Sequence, residues 1–119
     1  MIQFLDINEE NTVAARVVGK IETEDVEKAA KEIDQQLEED GKVKMYIELD
    51  HFEGYELEAF LKDLKFTVRH FDDFERVALV GQEEWLDALG EITDEIFSGV
   101  EVRYYPLGER PQALRWLEE

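Results

Sequence analysis

Short apolar runs alternate with longer amphipathic stretches along almost the whole chain. The first two runs, Ile2–Ile7 and Val13–Val18, are separated by only a few residues, and strands joined so closely form an antiparallel hairpin. After that hairpin, strand-like and helix-like patterns alternate strictly, which gives the order β-β-α-β-α-β-α-β-α. Because strands separated by helices pair in parallel, the order predicts an α/β fold with one mixed sheet.

The predicted helices are recognised by apolar residues that recur at intervals of three and four positions. The first such stripe lies between a candidate N-cap, Thr23, and a glycine that favours helix termination, Gly41. Pro111 suits the first turn of the last helix. The four stripes are Val26, Ala29, Ala30, Ile33 and Leu37; Leu57, Phe60, Leu61, Leu64 and Val68; Trp85, Leu89, Ile92 and Ile96; and Ala113, Leu114 and Leu117.

Three further strands complete the predicted sheet, at Lys44–Leu49, Val77–Val80 and Val100–Tyr104. The run Val77–Val80 is wholly apolar, which is typical of a central strand in a parallel sheet. No repeat, linker or low-complexity segment interrupts the pattern. One domain covering residues 1–119 is therefore expected, and it is large enough to bury a core without disulfides.

Acidic residues dominate the composition, with 31 Asp and Glu against 13 Lys and Arg and a formal net charge of −18 at pH 7. Such a field repels phosphate backbones and anionic lipids, so we expect neither nucleic-acid binding nor unassisted docking to a membrane surface. Two explanations of the acidity stay open: solubility, as in a salty cytoplasm, or recognition of a basic partner. The chain has no cysteine, no membrane-length apolar run and no signal-peptide pattern, so a cytoplasmic protein is the simplest interpretation.

The residues that usually carry catalysis or bind cofactors are few and scattered. The two histidines, His51 and His70, do not share a metal-ligand spacing, and no calcium-binding loop is present. The one serine, Ser98, lacks the flanking glycines of a nucleophile elbow, and the single glycines form no phosphate-binding loop. We therefore expect no metal, no cofactor and no covalent catalysis.

One turn attracts attention, because it follows the third predicted strand and starts the second predicted helix. Ligands and partners of open α/β sheets usually meet the loops at the carboxyl ends of the strands. The turn is either a well-formed helix start, a docking surface for a protein, or an acid–base pair of His51 and Glu53. The candidate partner-binding residues are Lys20 from the neighbouring strand–helix turn and His51, Phe52, Glu53, Gly54 and Tyr55.

Aromatic residues gather around the second predicted helix and admit two interpretations. Aromatic side chains dominate the cores of domains of this size, so core packing accounts for most of them. An aromatic-lined pocket beside the helix would instead suit an apolar ligand. The candidate lining of such a pocket is Phe60, Phe66 and Trp85.

Three segments stand out along the chain: "GKIETEDVEKA" at Gly19–Ala29, the "FEG" turn at Phe52–Gly54 and "DFERVALVG" at Asp73–Gly81, of which the last two are the most specific. In this order they resemble segments of the SpoIIAA-like family of small STAS-related proteins. The resemblance implies the STAS fold, in which helices cover a mixed sheet mainly on one face and the opening hairpin is its antiparallel part. That fold is also similar to the lipid-binding half of CRAL-TRIO lipid-transfer proteins.

The resemblance also implies a role for the turn. In the bacterial anti-sigma-factor antagonists that give the family its name, a serine just before a glycine in this loop is phosphorylated and controls binding to a partner kinase. Glu53 precedes Gly54 here, and neither serine nor threonine occurs between Thr23 and Thr67. The phosphorylation switch therefore cannot operate at this loop, and a glutamate imitates phosphoserine only weakly.

Two hypotheses about function follow. The first is a non-enzymatic regulatory module that docks a protein partner through the turn between the third strand and the second helix. The second is a small carrier or sensor of an apolar, lipid-like ligand. An exposed helix face or the edge strand of the hairpin would also allow a homodimer, although the net charge opposes self-association at low salt.

Overall fold

The structure is a computed structural model that describes residues 1–7, 11–50, 54–67, 74–82 and 99–119. Within these residues the chain forms five strands and three helices, and a single 3₁₀ turn at Leu107–Glu109 precedes the last helix. The strands are β1 (Ile2–Phe4), β2 (Thr12–Val18), β3 (Val43–Asp50), β4 (Phe74–Gly81) and β5 (Glu101–Pro106). The helices are α1 (Thr23–Asp40), α2 (Gly54–Thr67) and α3 (Arg110–Glu118). The helix predicted around Trp85 and Ile96 lies outside the described residues.

The five strands form one mixed sheet in the order β1-β2-β3-β4-β5. The β1–β2 pair is antiparallel and the other three pairs are parallel, as the sequence pattern predicts. The apolar run of β4 lies between β3 and β5, and Val77, Leu79 and Val80 are fully buried there. Its prediction as a central parallel strand is thus confirmed.

Helix α1 shows how local chemistry fixes an element. All five residues of its predicted stripe are buried, and Gly41 ends it in the left-handed region at φ 77°, where its N–H donates to the Leu37 carbonyl. The start differs by one position from the prediction of Thr23 as the N-cap. Glu22 is the N-cap instead, because Asp25 lies three residues later and accepts the Glu22 N–H at 2.8 Å.

Two apolar clusters cover the two faces of the sheet. Helices α1 and α2 pack on one face, against residues such as Val17, Ile47 and Leu79, whereas α3 packs on the other against Tyr46 and Ala78. Strands β2, β3 and β4 follow one another in the sheet, and crossovers of one hand place the helices that connect them, α1 and α2, on the same face. Helix α3 follows the last strand and is not a crossover, so it is free to cover the opposite face.

The buried side of α3 differs in part from the predicted one. Ala113 and Leu117 are fully buried as expected, but Trp116 is also buried and Leu114 is only partly covered. Both sets fit a helical spacing, so the sequence pattern alone does not separate them. Trp116 is the larger side chain, and it packs against Tyr105 of β5 with the ring centroids 6.5 Å apart.

Candidate functional site

The carboxyl ends of β2 and β3 lie side by side, because Val18 pairs with Asp50 in the parallel ladder. The β2–α1 turn and the chain that links β3 to α2 therefore leave the sheet at one edge, which we call the strand-end edge. Lys20 is exposed there, Gly54 begins α2, and Tyr55 is its second residue. The other predicted partner-binding residues, His51, Phe52 and Glu53, lie outside the described residues.

The β2–α1 turn is held by several backbone contacts. Gly19 adopts a left-handed conformation with φ 64°, which glycine reaches without steric cost. The Met1 amino group donates to the carbonyls of Val18 at 2.9 Å and Lys20 at 2.6 Å. The backbone around Lys20 is thus tied to the sheet, while the Lys20 side chain extends into solvent.

Asp25 is one of two buried carboxylates among the described residues. Burial raises its pKa, but the hydrogen bond from the Glu22 N–H and the Met1 ammonium group, 3.5 Å away, outweigh that effect and the pKa lies below its usual value. Asp25 is therefore an ionised anchor of the helix start. Because these donors occupy the carboxylate, Asp25 has a structural role and is not a free base.

A groove between α1 and α2 opens at the strand-end edge. Lys20, Thr23 and Val26 line its first part, together with Phe60 and Asp63 from α2. This part has a volume of about 170 Å³. Lys20 and Phe60 thus border the same depression. Lys20 is a predicted partner-binding residue, and Phe60 is a predicted ligand-pocket residue.

Of the three residues predicted to line an apolar pocket, Phe60 and Phe66 are described, and they border different depressions. Phe60 is buried and also faces a wholly apolar void of about 10 Å³ inside the core, whereas Phe66 is 93% exposed. Trp85 lies outside the described residues. Sites for drug-sized ligands measure about 300–1,000 Å³, so the void beside Phe60 is too small for a lipid.

On the opposite face, the second buried carboxylate, Glu48, is held by three donors. The Tyr46 hydroxyl donates to its Oε1 at 2.6 Å, and Arg16 Nε donates to Oε2 at 2.9 Å. Arg110 Nε of α3 approaches Oε1 at 3.0 Å. Burial raises the pKa of Glu48, but these three partners together hold it below its usual value.

This Glu48 cluster was not identified from the sequence. Its members come from β2, β3 and the start of α3, and Arg16 and Glu48 are 32 residues apart. The sequence offered one indication of it, the alternation of side chains along β3. Tyr46 and Glu48 lie two residues apart and so share a face of a strand in which most positions are buried. A carboxylate at such a position needs donors, and all of its oxygens are occupied, so the cluster joins the sheet to α3.

The carboxyl end of α3 is fixed by basic residues of the sheet. Arg76 Nη1 donates to the Trp116 carbonyl at 2.7 Å, and Lys44 Nζ donates to the Leu117 carbonyl. The guanidinium groups of Arg76 and Arg103 lie 5.1 and 5.0 Å from the centroid of the Trp116 ring. Cations are favourable at the carboxyl end of a helix, so this arrangement stabilises α3 on the sheet.

Among the described residues, no group of three or more His, Cys, Asp or Glu side chains is placed to hold a metal ion, and no buried polar side-chain atom lacks a hydrogen-bond partner. No helix described there has the length and apolar character that crossing a membrane requires.

The comparisons with known proteins agree with this architecture. The SpoIIAA-like family model matches residues 12–118, which is most of the chain. A search among curated proteins found no match. The five-stranded mixed sheet, with its antiparallel first pair, is consistent with the STAS fold of that family. The chain therefore belongs to the SpoIIAA-like family.

Proposed function

We propose that the chain is a non-enzymatic regulatory module that docks a protein partner at the strand-end edge. The family supports the general part of this proposal, because SpoIIAA-like and STAS domains generally act as regulatory or binding modules. The observation that carries the specific part is the pairing of Val18 with Asp50. It puts the ends of β2 and β3 side by side. Exposed Lys20 follows one end in the chain and residues 51–55 follow the other, which supports a shared contact with one partner.

The resemblance to phosphorylated family members bears on how docking is controlled. By that resemblance, Glu53 corresponds to the phosphorylatable serine of those proteins, and residues 24–66 contain no serine or threonine. A glutamate carries one negative charge, whereas a phosphoserine carries between one and two at neutral pH. Docking at this edge is therefore independent of serine or threonine phosphorylation of the loop.

The chemistry of the buried carboxylates supports a role without catalysis. General acid–base catalysis needs a group that can exchange a proton with substrate near the working pH. Asp25 and Glu48 both have pKa values below their usual range and are occupied by donors. They stabilise a helix start and the packing of α3, which are structural tasks.

The test is partner capture followed by an affinity measurement. The immobilised chain is exposed to an extract of the cells that express it, and the retained protein is identified and purified. The affinity of this protein is then measured for the unchanged chain and for two variants. The Glu53→Lys variant reverses a charge at the loop, whereas the Glu118→Lys variant makes the same change on α3, on the opposite face.

We expect Glu53→Lys to weaken binding by about tenfold or more, since one well-placed interfacial contact is worth roughly 1.4 kcal/mol or above. Glu118→Lys should bind as the unchanged chain does. Equal affinity of all three forms would remove the loop from the interface. Loss of binding in Glu118→Lys alone would place the interface on the α3 face.

A further inference from the structure

We propose that the groove between α1 and α2 binds a basic amphipathic helix of the partner, with Phe66 as the apolar anchor. The proposal rests on the proposed function, since it names the chemistry of the docked protein. It adds a surface that the strand-end edge alone does not include. We call this surface the acidic groove, and it is lined by side chains from residues 20–38 on one side and from residues 59–67 of α2 on the other.

The acidic groove is continuous. It consists of three depressions of about 170, 320 and 590 Å³ that follow one another along α1. The first two share Thr23, Val26 and Asp63, and the last two share Glu27 and Thr67. The groove therefore runs from the strand-end edge almost to the end of α1.

Its dimensions suit a short helix. Between Thr23 and Glu38 the axis of α1 advances about 22 Å at 1.5 Å per residue, which equals the length of a helix of about 15 residues. In the first two depressions the walls are formed mainly by α1 and α2, whose backbone groups are hydrogen-bonded internally, so they offer no ladder for an extended strand. In the last depression α1 forms the wall and α2 contributes only its final residue, Thr67. Binding in the groove depends on side chains, which is how amphipathic helices bind in grooves.

The charge of the groove specifies the partner's charge. Five of its lining residues are acidic, namely Glu22, Glu27, Asp34, Glu38 and Asp63, against two lysines, Lys20 and Lys31. The whole chain carries −18, so a second copy of it is repelled at low salt. Basic residues on the flanks of the bound helix match both the local and the overall charge.

Phe66 supplies the apolar contact. It is 93% exposed and borders the middle depression beside Val26 and Thr67, so its ring gains nothing from the folded chain itself. Burying an aromatic side chain of this size on binding is worth about tenfold to a hundredfold in affinity. An apolar side chain at the centre of the partner helix would cover the ring and exclude water from it.

The experiment is a titration of the full ¹⁵N-labelled chain with a defined synthetic probe. The probe is a peptide of about 15 residues in which leucines recur at helical spacing and lysines fill the other positions. A scrambled peptide of the same composition controls for charge alone. Amide chemical shifts then report where the probe binds, and the dependence of the shifts on its concentration gives the affinity.

We expect saturable binding of the amphipathic probe, with the largest shifts in 23–38 and 59–67. The scrambled probe should bind at least about tenfold more weakly, since it has no apolar face to cover Phe66. Phe66→Ala should weaken binding of the amphipathic probe by about tenfold or more, and should keep the unfolding midpoint because the ring is exposed.

A matched pair of charge reversals tests the position of the contact. Glu27 lines the acidic groove, whereas Glu32 is exposed on α1 outside it. Glu27→Lys should weaken binding by about threefold to tenfold, because it replaces an attraction by a repulsion, and Glu32→Lys by less than about twofold.

Three outcomes would overturn the proposal. One is equal binding of the two peptides, which means attraction by net charge alone. Another is a set of shifts confined to Lys20 and residues 51–55, which excludes the groove while leaving the strand-end edge as the docking surface. The third is concentration-dependent dimerisation of the chain that Phe66→Ala abolishes, which means that a second copy covers the ring.

The protein captured in the test of the proposed function separates the two proposals. If Glu53→Lys weakens its binding and Phe66→Ala does not, the groove proposal fails and the proposed function stands. If neither change affects its binding, both fail for that partner.

Discussion

Glu48 is a carboxylate inside a strand whose other positions are mostly apolar, and its partners determine what it can do. Tyr46, Arg16 and Arg110 occupy both of its oxygens. Removing a charged residue from water is costly unless donors replace the lost hydration, and here they do. Burial and the hydrogen bond to Glu48 also raise the pKa of Tyr46, so its hydroxyl remains a donor throughout the physiological range.

A Glu48→Gln variant should be less stable than the unchanged chain by about 1–2 kcal/mol near pH 7, since it loses the charge-assisted part of the hydrogen bonds. The folded pKa of Glu48 lies below its ordinary value of 4.5. Ionised Glu48 therefore stabilises the fold above that pH, and the contribution is lost as the pH falls through the folded pKa. The free energies of unfolding of the two proteins, measured in urea from pH 7 downward, should converge below pH 4.5.

A constant difference across that range would show that the charge of Glu48 is not the source of the stabilisation.

A Tyr46→Phe variant tests the contribution of the Tyr46 hydroxyl alone, because it removes one donor to Glu48 and leaves the other two. It should cost about 0.5–1.5 kcal/mol at pH 7.

Among the described helices, α1 and α2 cover one face of the sheet and α3 covers the other. Helix α3 is held at its start by Arg110 and at its end by Arg76 and Lys44. Trp116 lies between these contacts, is buried, and has the guanidinium groups of Arg76 and Arg103 near its ring. The helix is therefore an integral part of the fold.

Trp116→Ala should lower the free energy of unfolding by about 3–5 kcal/mol, which is the usual cost of truncating a large buried aromatic residue. Leu114→Ala on the same helix should cost less than half as much, because Leu114 is only partly buried. Urea unfolding of both variants gives the comparison. A larger effect of Leu114→Ala would mean that α3 packs with the face first expected from its sequence.

The same elements show what a sequence pattern can and cannot predict. The apolar run of β4 and the stripe of α1 predict their own burial, because their periods are local and unbroken. The choice between Leu114 and Trp116 is not local, since it depends on basic residues of distant strands. Two partners of Glu48, Arg16 and Arg110, are also distant from it in the sequence. The pattern of the strand therefore indicates a buried carboxylate that needs donors, but it does not identify the donors. The register of β2 on β3 is not predicted by either strand's own pattern, and it is this register that places the ends of the two strands side by side.

At the scale of the whole molecule, the net charge of −18 acts on every association that the chain makes. Charges on two approaching copies repel at low salt, and screening over about 10 Å at 0.1 M weakens this repulsion. A wholly apolar void lined in part by Phe60 has a volume of about 10 Å³, which is too small for a lipid. We expect the purified chain to hold no ligand in this void.

Native mass spectrometry of the freshly purified chain should therefore give the mass of the chain without a ligand. The spectrum should show monomer at low ionic strength, with any dimer increasing as salt is added. Additional mass that disappears on denaturation would instead support the carrier hypothesis, and an organic extract would identify the ligand.

The most direct test of docking at the strand-end edge is amide hydrogen exchange of the chain with and without its captured protein partner. We predict that the partner slows exchange most at residues 19–22 and 51–57, the segments that follow the adjacent ends of β2 and β3 in the chain. Slowed exchange confined to α3 and β5, with these two segments unchanged, would contradict the proposed function.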